Sequence, residues 1–311
     1  MLTIKNAIVT GPTGAIGTAL IRELLAGGSS VFAVVRPGSP RNARLPVHPN
    51  VTAVECDLAE YDRLPGLIDS PCDAFFHLAW GGTFGAARND MALQEHNVAA
   101  AISAVNAAHA LGCQVFVGVG SQAEFGHVQG VLHPDLPCHP DTGYGAAKLA
   151  ASHLTRVACR QNGIRHGWCR VLSTFGPGDA PYTLVMSTLL NMRAGKATPF
   201  TKGDQIWDYL YSEDVARALI AVAEKGRDGS IYCLGSGKPR RLRDYITAIR
   251  DAVDPDRPLT FGELPYYENQ VMHLEADITN LSADTGFTPR YTFEEGLQKT
   301  ITWLDEVETH G

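Results

Sequence analysis

The stretch TGPTGAIG, residues 10–17, decides the fold of this chain. It follows an apolar run at 6–10 and precedes a helical pattern at 17–26, so it joins a predicted strand to a predicted helix. Glycines spaced as G-x-x-G-x-x-G allow a tight turn and bring backbone N–H groups close to a pyrophosphate at the helix N-terminus. The stretch therefore predicts a dinucleotide site. The residues expected to form it are Gly11, Thr13, Gly14, Ala15, Ile16 and Gly17.

Strand and helix patterns alternate through the first half of the chain. Further predicted strands lie at 30–35, 51–55, 74–78, 114–119 and 165–171, with longer helices at 91–111 and 144–161. Fully apolar strands that alternate with helices form parallel sheets covered on both faces. We therefore predict an α/β fold, a doubly wound parallel sheet (Rossmann) with a smaller, interleaved C-terminal substrate lobe.

After about residue 175 the pattern changes to loops and shorter helices, punctuated by glycine and proline. We expect residues 1–172 plus roughly 205–234 to form the dinucleotide-binding domain. Residues of roughly 173–204 and 235–311 are expected to form the substrate lobe. A strand at about 207–211 is expected to return to the large sheet.

Composition excludes several classes of function. The chain has 311 residues, 45% of them hydrophobic and 19% charged, which is ordinary for a soluble globular protein. A net charge of −7 argues against a nucleic-acid partner, since phosphate backbones need a concentrated basic surface. The seven cysteines are scattered without a C-x-x-C pair, so neither a disulfide framework nor a metal site is predicted. With no signal sequence and no membrane-length apolar run, we expect a cytoplasmic protein.

The end of the second strand indicates which dinucleotide binds. Arg36 stands where an acidic residue would take the ribose 2′-hydroxyl of NAD, and Arg41 and Arg44 follow it. A guanidinium fits a 2′-phosphate in bidentate fashion, which favours NADP over NAD. Asp57, with Leu58 beside it after the third strand, suits the adenine end of the cofactor.

The sequence YGAAK, residues 144–148, has the spacing Y-x-x-x-K at the start of a helix. Tyr144 and Lys148 then project from one helix face. A nearby ammonium and a cationic nicotinamide both favour the phenolate, so we expect the pKa of Tyr144 to be lowered toward neutral pH. Tyr144 is then expected to exchange a proton with a substrate oxygen while hydride moves to or from the nicotinamide. Lys148 is expected to hold the nicotinamide ribose, and Ser121, after the fifth strand, to orient the substrate oxygen.

Taken together, these motifs resemble the extended short-chain dehydrogenase/reductase family, especially its nucleotide-sugar branch, over nearly the whole chain. Other segments are similar to elements of that family: HLAW (77–80), NVAA (97–100), RVLSTFGP (170–177), DYLYSEDVA (208–216) and GFTP (286–289). The resemblance implies that Leu78, Ala79, Trp80 and Asn97 lie beside the cofactor. It also implies a nucleotide sugar as substrate, contacted by Trp80, Ser121, Gln122, Ser173 and Trp207.

Departures from the family narrow the chemistry. Its 4,6-dehydratases typically carry Asp and Glu after the catalytic Ser or Thr, whereas this chain has Gln122 and Ala123, which exchange no protons. Glu124 is expected to point away from the site, on the opposite face of the strand, in a structural role. Reduction of a 4-keto group on a nucleotide-linked deoxysugar with NADPH is therefore predicted, and an NAD-dependent 4-epimerase is the alternative.

Other departures affect substrate binding and the competing classes of function. Ser173 replaces an asparagine and Trp207 an arginine that relatives use near the diphosphate. Either Lys202, Arg193 or Arg240 replaces the lost cation, or the substrate is less anionic than a nucleotide sugar. A non-catalytic dinucleotide sensor is the alternative from another class, although it would not need Ser121, Tyr144 and Lys148 together. The alanine-rich helices at 91–111 and 144–161 resemble those that pair in family dimers, so we expect a homodimer.

Overall fold

The computed structural model describes residues 2–268 and 270–310. In chain order, the strands are β1 (Asn6–Thr10), β2 (Ser30–Val35), β3 (Val51–Glu55), β4 (Ala74–His77), β5 (Val115–Ser121), β6 (Gly130–Leu132), β7 (Arg165–Val171), β8 (Ser173–Phe175), β9 (Ile206–Trp207), β10 (Tyr209–Tyr211), β11 (Ser230–Leu234), β12 (Arg240–Arg241) and β13 (Leu274–Ala276). The helices are α1 (Ala15–Ala26), α2 (Leu64–Leu67), α3 (Met91–Ala110), α4 (Gly143–Gln161), α5 (Leu184–Arg193), α6 (Ser212–Lys225), α7 (Leu242–Val253), α8 (Thr279–Thr285) and α9 (Phe293–His310).

Seven parallel strands form the central sheet in the order β3-β2-β1-β4-β5-β7-β11. One face is covered by α1 and α6, and the apolar side chains of these helices share a buried cluster with that face. The other face is covered by α3 and α4. Both faces of the strands are therefore buried, which explains their continuous apolar runs. The predicted doubly wound α/β fold is confirmed.

The carboxyl ends of β1, β4 and β5 meet at one edge of this sheet. In such folds, ligands bind where the strand order reverses, here between β1 and β4. The glycine-rich turn follows β1, the HLAW segment follows β4, and Ser121 ends β5. The topology thus brings three of the segments selected from the sequence to one edge.

The segment 207–211 does not join the large sheet, so that expectation was wrong. β9 pairs with β12 in antiparallel fashion, and β10 pairs with β8, in two separate two-stranded sheets. The aromatic rings of Tyr209 and Tyr211 pack around Phe175 and Phe293 in a second apolar cluster formed with α5, α7 and α9. Burial of these rings holds the segment away from the central sheet, whose last position is taken by β11.

Among the described residues, no helix combines the length and the apolar character that a bilayer crossing needs.

Candidate active site

The turn between β1 and α1 has the geometry of a phosphate-binding loop. Gly11 lies in the left-handed region at φ +68°, and a Cβ on it would lie 2.8 Å from the amide nitrogen of Ala79. A Cβ on Gly17 would lie only 2.2 Å from the carbonyl oxygen of Gly11. The Thr10 hydroxyl accepts hydrogen bonds from the amides of Leu78 and Ala79, at 3.1 and 3.2 Å, and so joins this turn to the end of β4. The backbone packs too closely here for residues larger than glycine at positions 11 and 17. The turn leads directly into the N-terminus of α1, whose backbone amides suit the pyrophosphate of a dinucleotide.

A groove of about 340 Å³ extends from this loop along the carboxyl ends of β1, β2 and β3, and we call it the cofactor groove. The predicted cofactor residues that line it are Gly11, Thr13, Arg36, Asp57, Leu58, Ala79, Trp80 and Asn97. Arg41 lines it as well, whereas Arg44 donates instead to the carbonyl oxygen of Gly178. Gly14 precedes α1 as its N-cap, and Ala15, Ile16 and Gly17 form the first turn of that helix.

Tyr144 and Lys148 lie on the first turns of α4, against the end of β5. The Thr142 hydroxyl caps this helix by accepting from the Gly145 amide at 3.1 Å. A Cβ on Gly145 would lie 2.2 Å from the carbonyl oxygen of Ala123, so the glycine lets α4 begin directly beside the turn that follows Ser121. The structure thus brings Ser121, Tyr144 and Lys148 to one place.

Burial dominates the electrostatics of Tyr144 and Lys148. The Lys148 ammonium donates to the carbonyl oxygen of Val119 at 2.6 Å and lies 3.8 Å from the Trp80 ring centroid. Because it is almost fully buried, its pKa is lowered to about 7. Burial also raises the pKa of Tyr144, against a hydrogen bond from Ser121 that lowers it. In the chain alone, the pKa of Tyr144 is therefore raised, because desolvation outweighs the nearby charges. The expected lowering also requires the cationic nicotinamide, so it stays a prediction.

The residues after Ser121 form a short 3-10 turn, Gln122–Glu124, and do not continue the strand. Glu124 is completely buried beneath this turn and accepts a hydrogen bond from the Ser121 amide at 2.8 Å. Its carboxylate also pairs with Arg170 at 2.8 Å. Glu124 thus has the expected structural role, although it turns inward through the 3-10 turn rather than through strand alternation.

Gln122 lines a second cavity of about 350 Å³ beside the turn that follows Ser121; we call it the catalytic cavity for this position, although its lining residues do not include Ser121, Tyr144 or Lys148. The other side chains at this cavity include Arg88, Ala123, His127, Asp141, Tyr267 and Glu268. The side-chain oxygen of Gln122 is buried without a hydrogen-bond partner within the described part of the chain. An unpaired buried polar atom costs free energy, and a hydrogen bond from a bound molecule would remove that cost.

Gln94, which the sequence analysis missed, organises the polar contacts around Trp80. Its side-chain oxygen accepts from Trp80 Nε1 at 2.9 Å and from the Asn97 amide at 3.2 Å. Asn97 in turn exchanges two hydrogen bonds of 2.9 Å with the backbone of Gly81. A glutamine within an alanine-rich helix carries no sequence signal of this role, which depends on contacts with a loop.

Ser173 and Trp207, the remaining predicted substrate residues, contact each other. The Trp207 indole donates to the Ser173 hydroxyl at 2.7 Å. Neither residue is among those that line the catalytic cavity or the cofactor groove. The structure thus brings together the two positions at which the chain departs from its relatives.

Comparison with known proteins identifies the family. A family model described as the NAD dependent epimerase/dehydratase family matches residues 7–235. The chain belongs to this family. The resemblance to extended short-chain dehydrogenase/reductases of the nucleotide-sugar branch is thereby confirmed, and a nicotinamide dinucleotide is its cofactor class.

Individual relatives of this family member carry several activities. The dTDP-glucose 4,6-dehydratase of Shigella flexneri is 33% identical over 171 residues, which are 53% of this chain and 47% of that protein. The chain thus spans about half the length of that curated relative. The dTDP-glucose 4,6-dehydratase of Neisseria gonorrhoeae is 28% identical over 98% of this chain and 97% of its own length. Among solved structures, the UDP-glucose 4-epimerase of Thermotoga maritima has a TM-score of 0.85 at 22% identity, covering 97% of this chain and 99% of that chain, which shows the shared fold.

The phosphate loop of this family member yields a direct prediction. Gly17→Ala places a methyl group against the Gly11 carbonyl, so the loop must shift, and we expect NADPH to bind about ten- to a hundredfold more weakly. Isothermal titration calorimetry measures this. The control is Gly66→Ala, since a Cβ on Gly66 meets nothing within 4 Å. Equal affinity of the Gly17 variant and the wild type would show that the cofactor binds elsewhere.

Proposed function

We propose that this family member is an NADP(H)-dependent oxidoreductase that reduces the 4-keto group of a nucleotide-linked deoxysugar. The observation that carries the proposal is the composition of the site after Ser121. A serine, a tyrosine and a lysine lie together at the sheet edge, while Gln122 and Ala123 occupy the next two positions. Such a site has the groups for exchanging one proton at a substrate oxygen, and these two positions supply no acid or base.

Each residue has a defined task in this proposal. Ser121 orients the carbonyl oxygen, and Tyr144 donates its phenolic proton to the alkoxide that forms there. Lys148 holds the nicotinamide ribose and its ammonium favours the phenolate. The cofactor, when bound, supplies the hydride. Gln122 binds a substrate hydroxyl through its unpaired side-chain oxygen.

The names of the curated relatives point toward dehydration, and the residues of this chain argue against it. Elimination of a hydroxyl next to a ketone needs one group that protonates the leaving oxygen and another that takes the carbon-bound proton. Glu124, the first carboxylate after Ser121, is bound by Arg170 and Trp168 and faces the sheet rather than the catalytic cavity. A reaction that requires only hydride and the Tyr144 proton therefore suits this site better.

The alternative is a 4-epimerase, which uses the same three residues. An epimerase oxidises C4 and returns hydride to the opposite face, so its cofactor is recycled without net consumption. A UDP-glucose 4-epimerase shares the fold of this chain. The arrangement of Ser121, Tyr144 and Lys148 is equally suited to this reaction. Arg36 favours the reductase, because its guanidinium suits the 2′-phosphate of NADPH and net reduction usually draws on NADPH.

Cofactor consumption tests the proposal against this alternative. The purified protein is incubated with NADPH and a panel of nucleotide-linked 4-keto-6-deoxysugars, and products are identified by NMR. We expect stoichiometric NADPH oxidation and a 4-hydroxy sugar. Tyr144→Phe is expected to lower turnover at least about a hundredfold with cofactor affinity retained, because it lacks only the proton donor. Interconversion of nucleotide hexoses at C4 without cofactor consumption would instead establish the epimerase, and retained activity of Tyr144→Phe would refute the mechanism.

The preference for NADP is proposed from two cations in the cofactor groove. Arg36 and Arg41 both line this groove, near Asp57. Arg36→Glu is expected to weaken NADPH binding about ten- to a hundredfold, since a charge-assisted hydrogen bond to the 2′-phosphate contributes about 1.5–3 kcal/mol. NADH affinity should stay equal or rise, as measured by calorimetry. Arg63→Gln, at an exposed arginine paired with Glu60, serves as the control. Equal loss of NADPH and NADH affinity would contradict a role in phosphate recognition.

The division into lobes and the homodimer are also proposed. We propose a dinucleotide-binding domain of residues 1–172 plus roughly 205–234, and a substrate lobe of roughly 173–204 and 235–311. In support of this division, α5, α7 and α9 share an apolar cluster apart from those on the central sheet, although Tyr209 and Tyr211 of the 205–234 segment also pack into it. α3 and α4 pack side by side on one face of the sheet. Leu154 and Val157 are exposed on α4, where a second copy would cover them.

A charged residue on α4 tests the dimer. Leu154→Glu is expected to convert a dimer of about twice the chain mass into a monomer, because the buried carboxylate would have no partner at the helix interface. Light scattering coupled to size-exclusion chromatography measures the mass. Leu67→Glu, at a similarly exposed leucine of α2, is the control. A wild-type monomer would refute the proposal.

A further inference from the structure

The loop 81–90 between β4 and α3 is fixed against both helices of the active site. The buried Gln94 side chain donates to the carbonyl oxygens of Gly82 and Ala87, each at 3.1 Å. At the far end of the loop, the Asn89 side chain accepts from the Gly143 amide at 2.9 Å, directly before Tyr144. The loop is therefore held on α3 and on α4, and its side chains have defined positions beside the catalytic tyrosine.

This loop places Arg88 over the ring of Tyr144. The guanidinium carbon lies 4.6 Å from the ring centroid, and the side chain also donates to the Thr83 carbonyl oxygen within the loop. The ammonium of Lys148 is farther away, at 6.0 Å from the same centroid. Arg88 is thus the nearer of these two cations, and it lines the catalytic cavity together with Gln122.

The two cations also differ in how firmly they hold their charge. A guanidinium stays protonated throughout the pH range of protein function. Lys148 is buried, and this burial lowers its pKa to about 7. Three charged groups among the described residues face Tyr144: Arg88 from the loop, Lys148 from its own helix and Glu124 from beneath Ser121. The cavity beside it adds His127, Asp141 and Glu268.

We propose that Arg88 is a positioning residue for Tyr144, whose guanidinium stabilises the phenolate left after proton transfer to the substrate. The inference rests on the proposed function for the role of Tyr144 as proton donor. In that step the phenolic O–H bond breaks, the proton passes to the substrate oxygen, and the negative charge remains on the tyrosine beside the guanidinium. A cation within about 6 Å of an aromatic face attracts the ring even when neutral, and attracts its anion more strongly.

The ionisation of Tyr144 tests this contact without substrate or cofactor. The ten tyrosines are replaced by 3-fluorotyrosine, whose phenol is more acidic, and titrated by fluorine NMR, with Tyr144→Phe assigning the signal. Arg88→Gln should raise the titration midpoint of Tyr144 by about one pH unit, because the cation no longer favours the phenolate. Arg88→Lys keeps a cation at this position, so its midpoint should lie closer to that of the wild type than the midpoint of Arg88→Gln does. Arg63→Gln should leave the midpoint unchanged. A midpoint in Arg88→Gln within about 0.2 units of the wild type, or below it, overturns the proposal.

The pH dependence of reduction gives a second readout. Reduction requires protonated Tyr144, so kcat/KM for the sugar falls above the pKa that this residue has before the sugar binds. The basic limb of the kcat/KM profile should therefore move to higher pH in Arg88→Gln, whereas a merely structural loss would lower the profile without moving it. A shift in the NMR midpoint without reduction of any keto sugar would support the contact of Arg88 and refute the proposed reaction. If Arg88→Gln is not folded, as its fluorine spectrum would show, the neutral variant Arg88→Met carries the same test: a midpoint raised by more than about 0.2 units supports the proposal, and a midpoint within about 0.2 units of the wild type or below it overturns the proposal.

Discussion

The buried carboxylate of Glu124 fixes the edge of the sheet at which β5 ends in Ser121. It accepts hydrogen bonds from the Ser121 amide at 2.8 Å and from Trp168 Nε1 at 3.0 Å, and it pairs with Arg170. An unpaired charge at this depth would cost several kcal/mol, so each partner holds the others in one arrangement. The gain from such a pair lies in geometry more than in stability. Ser121, at the end of β5, is thereby tied to two side chains of β7.

The glycines of β5 make room for this arrangement. A Cβ on Gly118 would lie 2.3 Å from the Trp168 ring, and one on Gly120 would lie 2.2 Å from the Glu124 carboxylate. In the sequence VGVGS, the two glycines therefore leave one face of the strand without side chains, and the Trp168 indole and the Glu124 carboxylate occupy that space. Two further buried carboxylates, Asp208 and Asp214, hold later segments of the chain in the same way. Asp208 accepts from the amides of Ser236, Gly237 and Ala276, and Asp214 from those of Arg290 and Tyr291.

The sequence predicted the central sheet well because its strands are buried on both faces. Their apolar runs are continuous, so β1, β2, β3 and β7 have the predicted bounds, and β4 and β5 differ by at most two residues. The prediction for the segment 207–211 was wrong because three alternating aromatic residues suit both a strand of the central sheet and a strand of a small sheet. Packing of the Tyr209 ring against Phe175 and Phe293 selects the small sheet, and that packing is not visible in the sequence. Arg88 and Gln94 escaped prediction for a related reason. Their positions depend on how a glycine-containing loop folds over two helices, and no local spacing encodes that contact.

Trp207 stands where the family resemblance leads us to expect an arginine, and an arginine of the paired strand lies next to it. Arg240 lies directly opposite Trp207 in the β9–β12 ladder, so both side chains project from the same face of that ladder. The guanidinium of Arg240 is held by both carboxylate oxygens of Glu294, at 2.5 and 3.2 Å, and lies over the Tyr245 ring. Of the cations considered from the sequence, Arg240 is thus the one adjacent to the substituted position. Because Glu294 already neutralises it, a substrate diphosphate would have to compete with that carboxylate, and the attraction at this point would be weaker than that of an unpaired arginine.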